Sequence, residues 1–261
     1  DGNVTGLKEG QATITAKDDK YGYIATAIVY VTRNTANTIT IPQVSQGQKF
    51  TIVLKADGTV WASGQNNVGQ CGIDSTVANI GKLTPVKTDK GANLNNIVKI
   101  VSGLEYTLAL TKDGKVYGWG LNSNGQLGIN SKTNQFTATY MLDEEGENPV
   151  TDVIDIAAGD CFSTILKSNG ELYTVGNGTY SQLGNGTTTT TMVLGKMEEM
   201  QNVVQVVNGG YHTIMLRGDQ TVWTVGRNRY GEMGINSIKD SSTATAQGIG
   251  IARQVINQDL N

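Results

Sequence analysis

Short apolar runs alternate with glycine-rich polar turns along most of the chain. In four runs a ring, a middle residue and a leucine occupy alternate positions: Phe50–Leu54, Tyr106–Leu110, Phe162–Leu166 and His212–Leu216. This period of two predicts β-strands. Before each of them lies another apolar run that ends in glycine: Ile41–Gly47, Val98–Gly103, Val153–Gly159 and Val203–Gly209. The pattern predicts an all-β chain.

A turn and a third strand follow each ring-bearing strand. The turns begin at Asp57, Asp113, Asn169 and Asp219, at steps of 56, 56 and 50 residues. In the first three copies glycine comes next and supplies the positive φ of a tight hairpin. The fourth copy reads Asp219-Gln220, which predicts a different or strained turn. A fixed period of this size predicts a repeat architecture.

A glycine-rich corner ends each unit and makes the pattern specific. Its clearest copy, Gly120–Gly128, reads Gly-Leu-Asn-Ser-Asn-Gly-Gln-Leu-Gly, and a fourth strand is predicted beyond it at Phe136–Leu142. Together with the strands and hairpins, this corner resembles the repeat of the regulator of chromosome condensation (RCC1) family. The resemblance covers about residues 39–261 and implies a seven-bladed β-propeller with roughly 50 residues per blade.

The repeats predict how this region is divided. Four units are expected at 39–96, 97–152, 153–202 and 203–250, and 251–261 is expected to begin the next unit. Four blades and part of a fifth do not close a seven-bladed ring. The chain is therefore expected to be part of a longer protein.

Residues 1–34 lie outside the repeat. The alternating strand with Ala25, Ala27, Val29 and Val31 on one face, and the Gly2–Ala16 segment before it, resemble the end of a bacterial immunoglobulin-like domain of group 2. Only its last strands fit into this length. Residues 35–38 are the predicted linker. The resemblance implies an extracellular or bacterial cell-surface location.

Composition excludes several functions. The chain has 20 basic and 23 acidic residues, and the one basic cluster, Arg227 with Arg229 and Lys239, is too thin for the basic face that nucleic acid requires. No run approaches the roughly 18–20 apolar residues of a membrane span, so no membrane insertion is predicted. Of the two cysteines, Cys71 replaces a corner leucine and is predicted to be a small buried hydrophobe. No disulfide with Cys161 is expected.

No residue pattern predicts catalysis, a cofactor or a metal. His212 is the only histidine, and it replaces the ring of the other repeats. The phosphate-binding glycine motifs are absent. The recurring Asp57, Asp113 and Asp219 admit calcium as an alternative, but a hairpin Asp needs no ion. The chain is predicted not to be an enzyme.

Two groups of aromatic residues differ in their placement. One group repeats in register and is predicted to pack the blades: Trp61, Tyr117, Tyr173 and Trp223. The other side chains stand at non-repeating corner positions, and Tyr and Arg are enriched at binding hot spots. The predicted contact residues are Tyr180, Arg227, Arg229 and Tyr230.

The sequence favours a non-catalytic binding or adhesion module of a secreted or surface-attached bacterial protein. Its ligand is expected to be a protein or a glycan. Loops between blades would carry specificity, at 73–96, 129–150, 185–201 and 235–250. The alternatives are a secreted enzyme inhibitor similar to the family's β-lactamase-blocking propeller, a nucleotide-exchange factor like the family's namesake, and an accessory domain of a larger surface enzyme.

Overall fold

The computed structural model describes residues 10–17, 24–31, 40–197, 200–239 and 252–255, with side chains from residue 40 onward. Within these ranges every regular element is a β-strand, which confirms the predicted all-β class. The chain divides into two compact units, Asp1–Ile39 and Thr40–Asn261.

The first unit contains a two-stranded antiparallel sheet. Strand β1 (Gly10–Lys17) pairs with β2 (Ile24–Val31), with Gly10 opposite Val31 and Lys17 opposite Ile24. The predicted linker at 35–38 lies outside the described residues. The immunoglobulin-like identity of this unit stays a prediction.

The second unit consists of four sheets of four antiparallel strands, in which neighbouring strands are consecutive along the chain. Blade 1 contains β3 (Gln43–Gln46), β4 (Phe50–Leu54), β5 (Val60–Gln65) and β6 (Asn79–Pro85). Blade 2 contains β7 (Ile97–Ser102), β8 (Tyr106–Thr111), β9 (Val116–Gly120) and β10 (Gln135–Tyr140). Blade 3 contains β11 (Val153–Ala158), β12 (Phe162–Lys167), β13 (Leu172–Gly176) and β14 (Thr191–Lys196). Blade 4 contains β15 (Val203–Asn208), β16 (His212–Arg217), β17 (Val222–Gly226) and β18 (Arg253–Gln254).

The C-terminal strand corrects one sequence prediction. Residues 251–261 were expected to open a fifth unit, but β18 pairs with β17 as the outer strand of blade 4. The Val255 amide donates to the Val222 carbonyl over 2.8 Å, and the Met197 amide donates to the Leu172 carbonyl at the same place in blade 3. Because opening and outer strands are both short apolar runs, their sequence pattern does not distinguish them. Residues 256–261 lie outside the described part.

All four hairpins share one conformation. The residue after the turn Asp or Asn has positive φ, with values of 79° at Gly58, 75° at Gly114, 79° at Gly170 and 69° at Gln220. The fourth turn is therefore the same turn as the others, with a non-glycine residue in the left-handed region. That conformation costs about 1–2 kcal/mol for a residue with a Cβ atom.

The corners are closed by an asparagine side chain in three blades. In blade 2, Asn122 Nδ2 donates to the Ser131 carbonyl over 2.8 Å, and Asn122 Oδ1 accepts from the Leu127 amide over 2.9 Å. Blade 3 has Gly178 instead. A Cβ atom there would lie 2.2 Å from the Thr189 carbonyl oxygen, so the following chain passes too close for an asparagine.

A glycine lies packed under the ring of every blade, and in blades 1 to 3 it also contacts the backbone of the next blade. A Cβ atom on Gly103 would lie 2.1 Å from the Tyr106 ring and 2.4 Å from the carbonyl oxygen of Gly159 in blade 3. A Cβ atom added to the glycine would lie 2.1–2.2 Å from the ring at the other three places: Gly47 with Phe50, Gly159 with Phe162, and Gly209 with His212. No other residue fits between the ring and the neighbouring backbone.

The apolar core lies between blades. Three clusters of buried side chains join blades 1 and 2, blades 2 and 3, and blades 3 and 4. Cys71 is fully buried in the first cluster, which confirms its prediction as a small hydrophobe, and burial raises the pKa of its thiol to about 11. Cys71 and Cys161 are both free thiols.

The glycine contact generates a first prediction. Gly159→Ala should lower the free energy of unfolding by about 2–3 kcal/mol, because the new methyl group overlaps the Phe162 ring and the Gly209 carbonyl. Gly81→Ala is the matched control, since a Cβ atom added there would have no other atom within 4 Å, and it should change stability by less than about 0.5 kcal/mol. Urea unfolding of both variants measures the free energy of unfolding. Equal unfolding midpoints for Gly159→Ala and Gly81→Ala would contradict the prediction.

The strained fourth hairpin generates a second prediction. Gln220→Gly should raise the free energy of unfolding by about 0.5–1 kcal/mol, because glycine adopts positive φ without steric cost. The reciprocal Gly114→Gln should lower it by about 1 kcal/mol or more. Thermal and urea unfolding report both effects, and a destabilised Gln220→Gly variant would refute the strain.

Candidate binding face on the third and fourth blades

Two loops are held side by side at one edge of every blade. The residue after the last glycine of the third strand donates its amide hydrogen to the carbonyl of the residue before the ring, each time over 2.9 Å: Gln65 to Lys49, Leu121 to Glu105, Asn177 to Cys161, and Arg227 to Tyr211. These paired loops form the corner face. Their backbone is fixed by the repeat, whereas their side chains vary from blade to blade.

The four predicted contact residues lie together on this face, with Tyr211 among them. Arg227 Cζ lies 4.8 Å from the ring centroid of Tyr211, 5.8 Å from that of Tyr230 and 6.0 Å from that of Tyr180. Arg229 Cζ lies 5.4 Å from the Tyr180 ring. These five residues are the tyrosine–arginine cluster, which spans the boundary between blades 3 and 4.

Tyr211 was missed because it belongs to a different loop from the other members. Its ring meets the Tyr180 ring edge to face, with 5.5 Å between centroids and 78° between planes. The signal available in the sequence was its position before the ring strand, where the other blades have Lys49, Glu105 and Cys161. Only the fold shows that this loop and the corner adjoin.

Glu232 anchors the cluster through a change specific to blade 4. At its place the other corners have glutamines, each accepting the amide hydrogen of the residue two positions earlier: Gln70, Gln126 and Gln182. Glu232 keeps that role, accepting from the Tyr230 amide over 2.8 Å. Its other carboxylate oxygen accepts from Arg227 Nε over 3.2 Å. The replacement of glutamine by Glu232 thus occurs in the one described blade that has an arginine, Arg227, at the start of its corner.

Electrostatics favour the ionised form of this pair. Burial opposes the charge of Glu232, but hydrogen bonds from its own amide, from the Tyr230 amide and from Arg227 outweigh it and lower the carboxyl pKa. The side chains of Arg227 and Glu232 are 28% and 15% exposed. The pair therefore stays charged at neutral pH while being partly shielded from water.

Three titratable groups in and beside the cluster have pKa values shifted toward their uncharged forms: Tyr211, Cys161 and His212. Burial and then the Asp160 carboxylate raise the pKa of the Tyr211 hydroxyl. Burial, followed by Asp160 and Glu105, raises the pKa of the Cys161 thiol. Burial lowers the pKa of His212, with Glu232 opposing and Arg227 adding to the shift. The structure therefore supplies no activated thiolate or charged imidazole here.

Hairpin aspartates serve the turns. Asp57 Oδ1 accepts from the Thr59 amide over 3.0 Å and from its hydroxyl over 2.7 Å, and the Trp61 indole donates to that hydroxyl over 3.0 Å. Asp219 makes the equivalent bonds in blade 4. Across the described ranges, no three acidic, histidine or cysteine side chains group as metal ligands.

The tyrosine–arginine cluster is a surface patch. One cavity of about 600 Å³ lies at the hairpins of blades 3 and 4, where Ile154, Val204 and Arg217 line it. A second, of about 280 Å³, is lined by the glycine loops around Gly103 and Asp160. Neither contains a member of the cluster. The described part of the chain has no helix long and apolar enough to cross a membrane.

Known proteins share this sequence pattern. The chain is 29% identical over 204 residues to the ultraviolet-B receptor UVR8 of Arabidopsis thaliana, covering 77% of this chain and 44% of the receptor. It is 29% identical over 196 residues to the E3 ubiquitin-protein ligase HERC2 of Homo sapiens, covering 74% of this chain and 4% of the ligase. The chain thus spans less than half the length of these relatives.

Solved structures share the fold. Human WBSCR16 matches with a TM-score of 0.67 and 23% identity, covering 90% of this chain and 57% of that chain. Yeast RCC1 (Prp20), solved with Kap60 bound, matches with a TM-score of 0.67 and 20% identity, covering 89% of this chain and 52% of that chain. Residues 9–258 match the RCC1-like domain, a range that also takes in strands β1 and β2. The chain belongs to the RCC1-like domain family.

Proposed function

We propose that this chain is a non-catalytic binding module that recognises a protein or a glycan through the tyrosine–arginine cluster. One observation carries the proposal. Side chains of the corner face that vary from blade to blade are brought together from two blades into a single patch with two arginines and three tyrosines.

Residue chemistry and rigidity support this function. Tyrosine and arginine are over-represented among binding hot spots, because each combines a large contact area with hydrogen-bonding groups. Tyr230 is 84% exposed, while its backbone amide is held by Glu232. A fixed backbone presenting an exposed ring loses little conformational entropy on binding. The yeast RCC1 structure, which has the same fold, contains bound Kap60.

The proposal places the module on a secreted or surface-attached bacterial protein. It rests on the resemblance of residues 1–34 to a group 2 immunoglobulin-like domain, which would act as a stalk. Detection of the native protein on intact cells by an antibody against residues 40–261 tests the location. Signal only after cell lysis would reject it.

A ring of seven blades is part of the proposal. Ile41 and Val44 of blade 1 are 74% and 79% exposed, whereas their repeat counterparts Ile97 and Ile100 are 0% and 4% exposed. In blades 2 to 4 these positions pack against the preceding blade, so a further blade would cover Ile41 and Val44. The full gene sequence tests this, because seven blades require three repeats beyond the four described.

A secreted enzyme inhibitor is the second candidate. Three tyrosines gathered on one face favour it, because an aromatic surface can cover an enzyme's active-site entrance. Titration of candidate secreted enzymes, including β-lactamases, distinguishes the two functions. Stoichiometric loss of activity supports inhibition, and full activity at saturating protein rejects it for that enzyme.

A matched pair of variants tests the binding function. Arg227→Ala/Arg229→Ala/Tyr230→Ala removes the blade 4 side chains, and Gln65→Ala/Asn67→Ala/Val68→Ala removes the residues at the same repeat positions of blade 1. Ligands found with the unmodified chain on protein and glycan arrays should bind the first variant at least about tenfold more weakly. They should bind the second within about twofold. Binding that is unaffected by the first variant would contradict the proposed function.

A further inference from the structure

Arg227 presents an unused edge of its guanidinium group. Its Nε donates to Glu232 Oε1 over 3.2 Å. Among the described residues, neither terminal nitrogen, Nη1 or Nη2, has a hydrogen-bond or ion-pair partner. A guanidinium keeps its charge at all physiological pH values and has two donor edges. Glu232 occupies part of one edge and leaves the Nη1–Nη2 edge available to a ligand.

The surroundings hold this edge in place. Tyr211 lies closest to the Arg227 guanidinium, and the Tyr180 and Tyr230 rings lie within 6.0 Å of Cζ. Because the Arg227 side chain is only 28% exposed, water screens its charge less than on an open surface. The Glu232 bond and the rings together limit its rotation. The arginine is therefore preorganised before any ligand arrives.

The preference for an anion is local to the Nη edge of Arg227. Arg227 donates to Glu232 through Nε alone, so the two terminal nitrogens carry donor hydrogens that point away from that carboxylate. Asp160, which interacts with Tyr211, adds a negative charge nearby, so the preference comes from these donors and not from an excess of positive charge. A ligand carboxylate at the Nη edge would be bound by two parallel N–H···O bonds, the strongest geometry available to arginine.

We propose, on the basis of the binding function above, that the Nη edge of Arg227 binds the carboxylate of an Asp or Glu side chain on a partner protein. The three tyrosine rings would contact the neighbouring side chains of that partner. A neutral sugar offers hydroxyl groups, which match a pair of parallel donors less well than a carboxylate does. An acidic sugar shares the carboxylate but gives exposed tyrosines less to bury than a peptide does.

A random peptide library displayed on phage provides the probe. It is selected in parallel on the unmodified chain, on Arg227→Gln and on Arg227→Lys, and the peptides recovered are sequenced and synthesised. Peptides from the unmodified chain should be enriched in Asp and Glu. Replacing the critical Glu of a peptide by Gln should weaken binding to the unmodified chain by about tenfold or more, and to Arg227→Gln by about twofold or less.

The lysine variant separates geometry from charge. Arg227→Lys keeps the positive charge but loses the paired donors, so it should bind the same peptides about as weakly as Arg227→Gln. Full affinity of Arg227→Lys would overturn the two-bond geometry. Equal thermal unfolding of the three proteins shows that the folds are comparable. Gln65→Ala, at the same repeat position in blade 1, should leave peptide affinity unchanged.

The other outcomes separate this inference from the proposed function. Some peptides could bind Tyr230→Ala more weakly but bind both Arg227 variants with unchanged affinity. That result would support the proposed binding face and would contradict carboxylate recognition by Arg227. If a glycan array finds sugar acids that bind through Arg227 while no acidic peptide does, the protein partner is wrong. If no selected peptide and no glycan depends on any cluster residue, both proposals fail.

Discussion

The second unit depends on one contact, a glycine between its own blade's ring and the backbone of the next blade. The contact occurs at Gly47, Gly103 and Gly159, where a carbonyl oxygen of the following blade lies within 2.9 Å of the position a Cβ would take, whereas Gly209 contacts only the ring of its own blade. This spacing sets how closely first strands approach one another. The close approach allows the buried clusters between blades to form, because dispersion and burial both require atoms in contact.

That constraint explains where the chain is free to vary. Backbone bonds at the hairpins and corners repeat in all four blades, so the repeat fixes the backbone of the corner face while its side chains vary. In blade 4 these positions carry large or charged side chains: Arg227, Arg229 and Tyr230 stand where blade 1 has Gln65, Asn67 and Val68. The paired appearance of Arg227 and Glu232 shows how a corner can gain an ion pair while keeping the hydrogen bond from the amide two positions before residue 232. A rigid scaffold thereby presents a chemically distinct surface.

Some features belong to a single blade boundary. The Trp119 indole is fully buried and donates to the Gln70 carbonyl over 3.0 Å, which links blades 1 and 2. Gly72 lies against the same ring. The other blades have Ser63, Val175 and Val225 at this place, so no repeat argument singles it out. The backbone is therefore similar at each boundary between blades, whereas the side chains that pack there differ from one boundary to the next.

Most of the fold could be predicted because its signals are local. Alternating apolar residues, turn glycines and a fixed period determine strands and hairpins over a few residues each, and those predictions agree with the structure. Arg253–Gln254 lie in the outer strand of blade 4 and not in the first strand of a new unit, because a short apolar run carries no information about its pairing partner. The Gln220 turn was left open between a new type and a strained one, and only the backbone showed the strain.

The sequence by itself determined the repeat, the all-β class and the identity of four candidate contact residues, since periodicity shows which positions deviate from it. Tertiary structure alone decided that Tyr180 of blade 3 meets Arg227 of blade 4, and that Tyr211 joins them from a separate loop. It also decided which nitrogen of Arg227 is occupied by Glu232. The physical reason is that these contacts cross a blade boundary, where their distances depend on how whole sheets pack against each other.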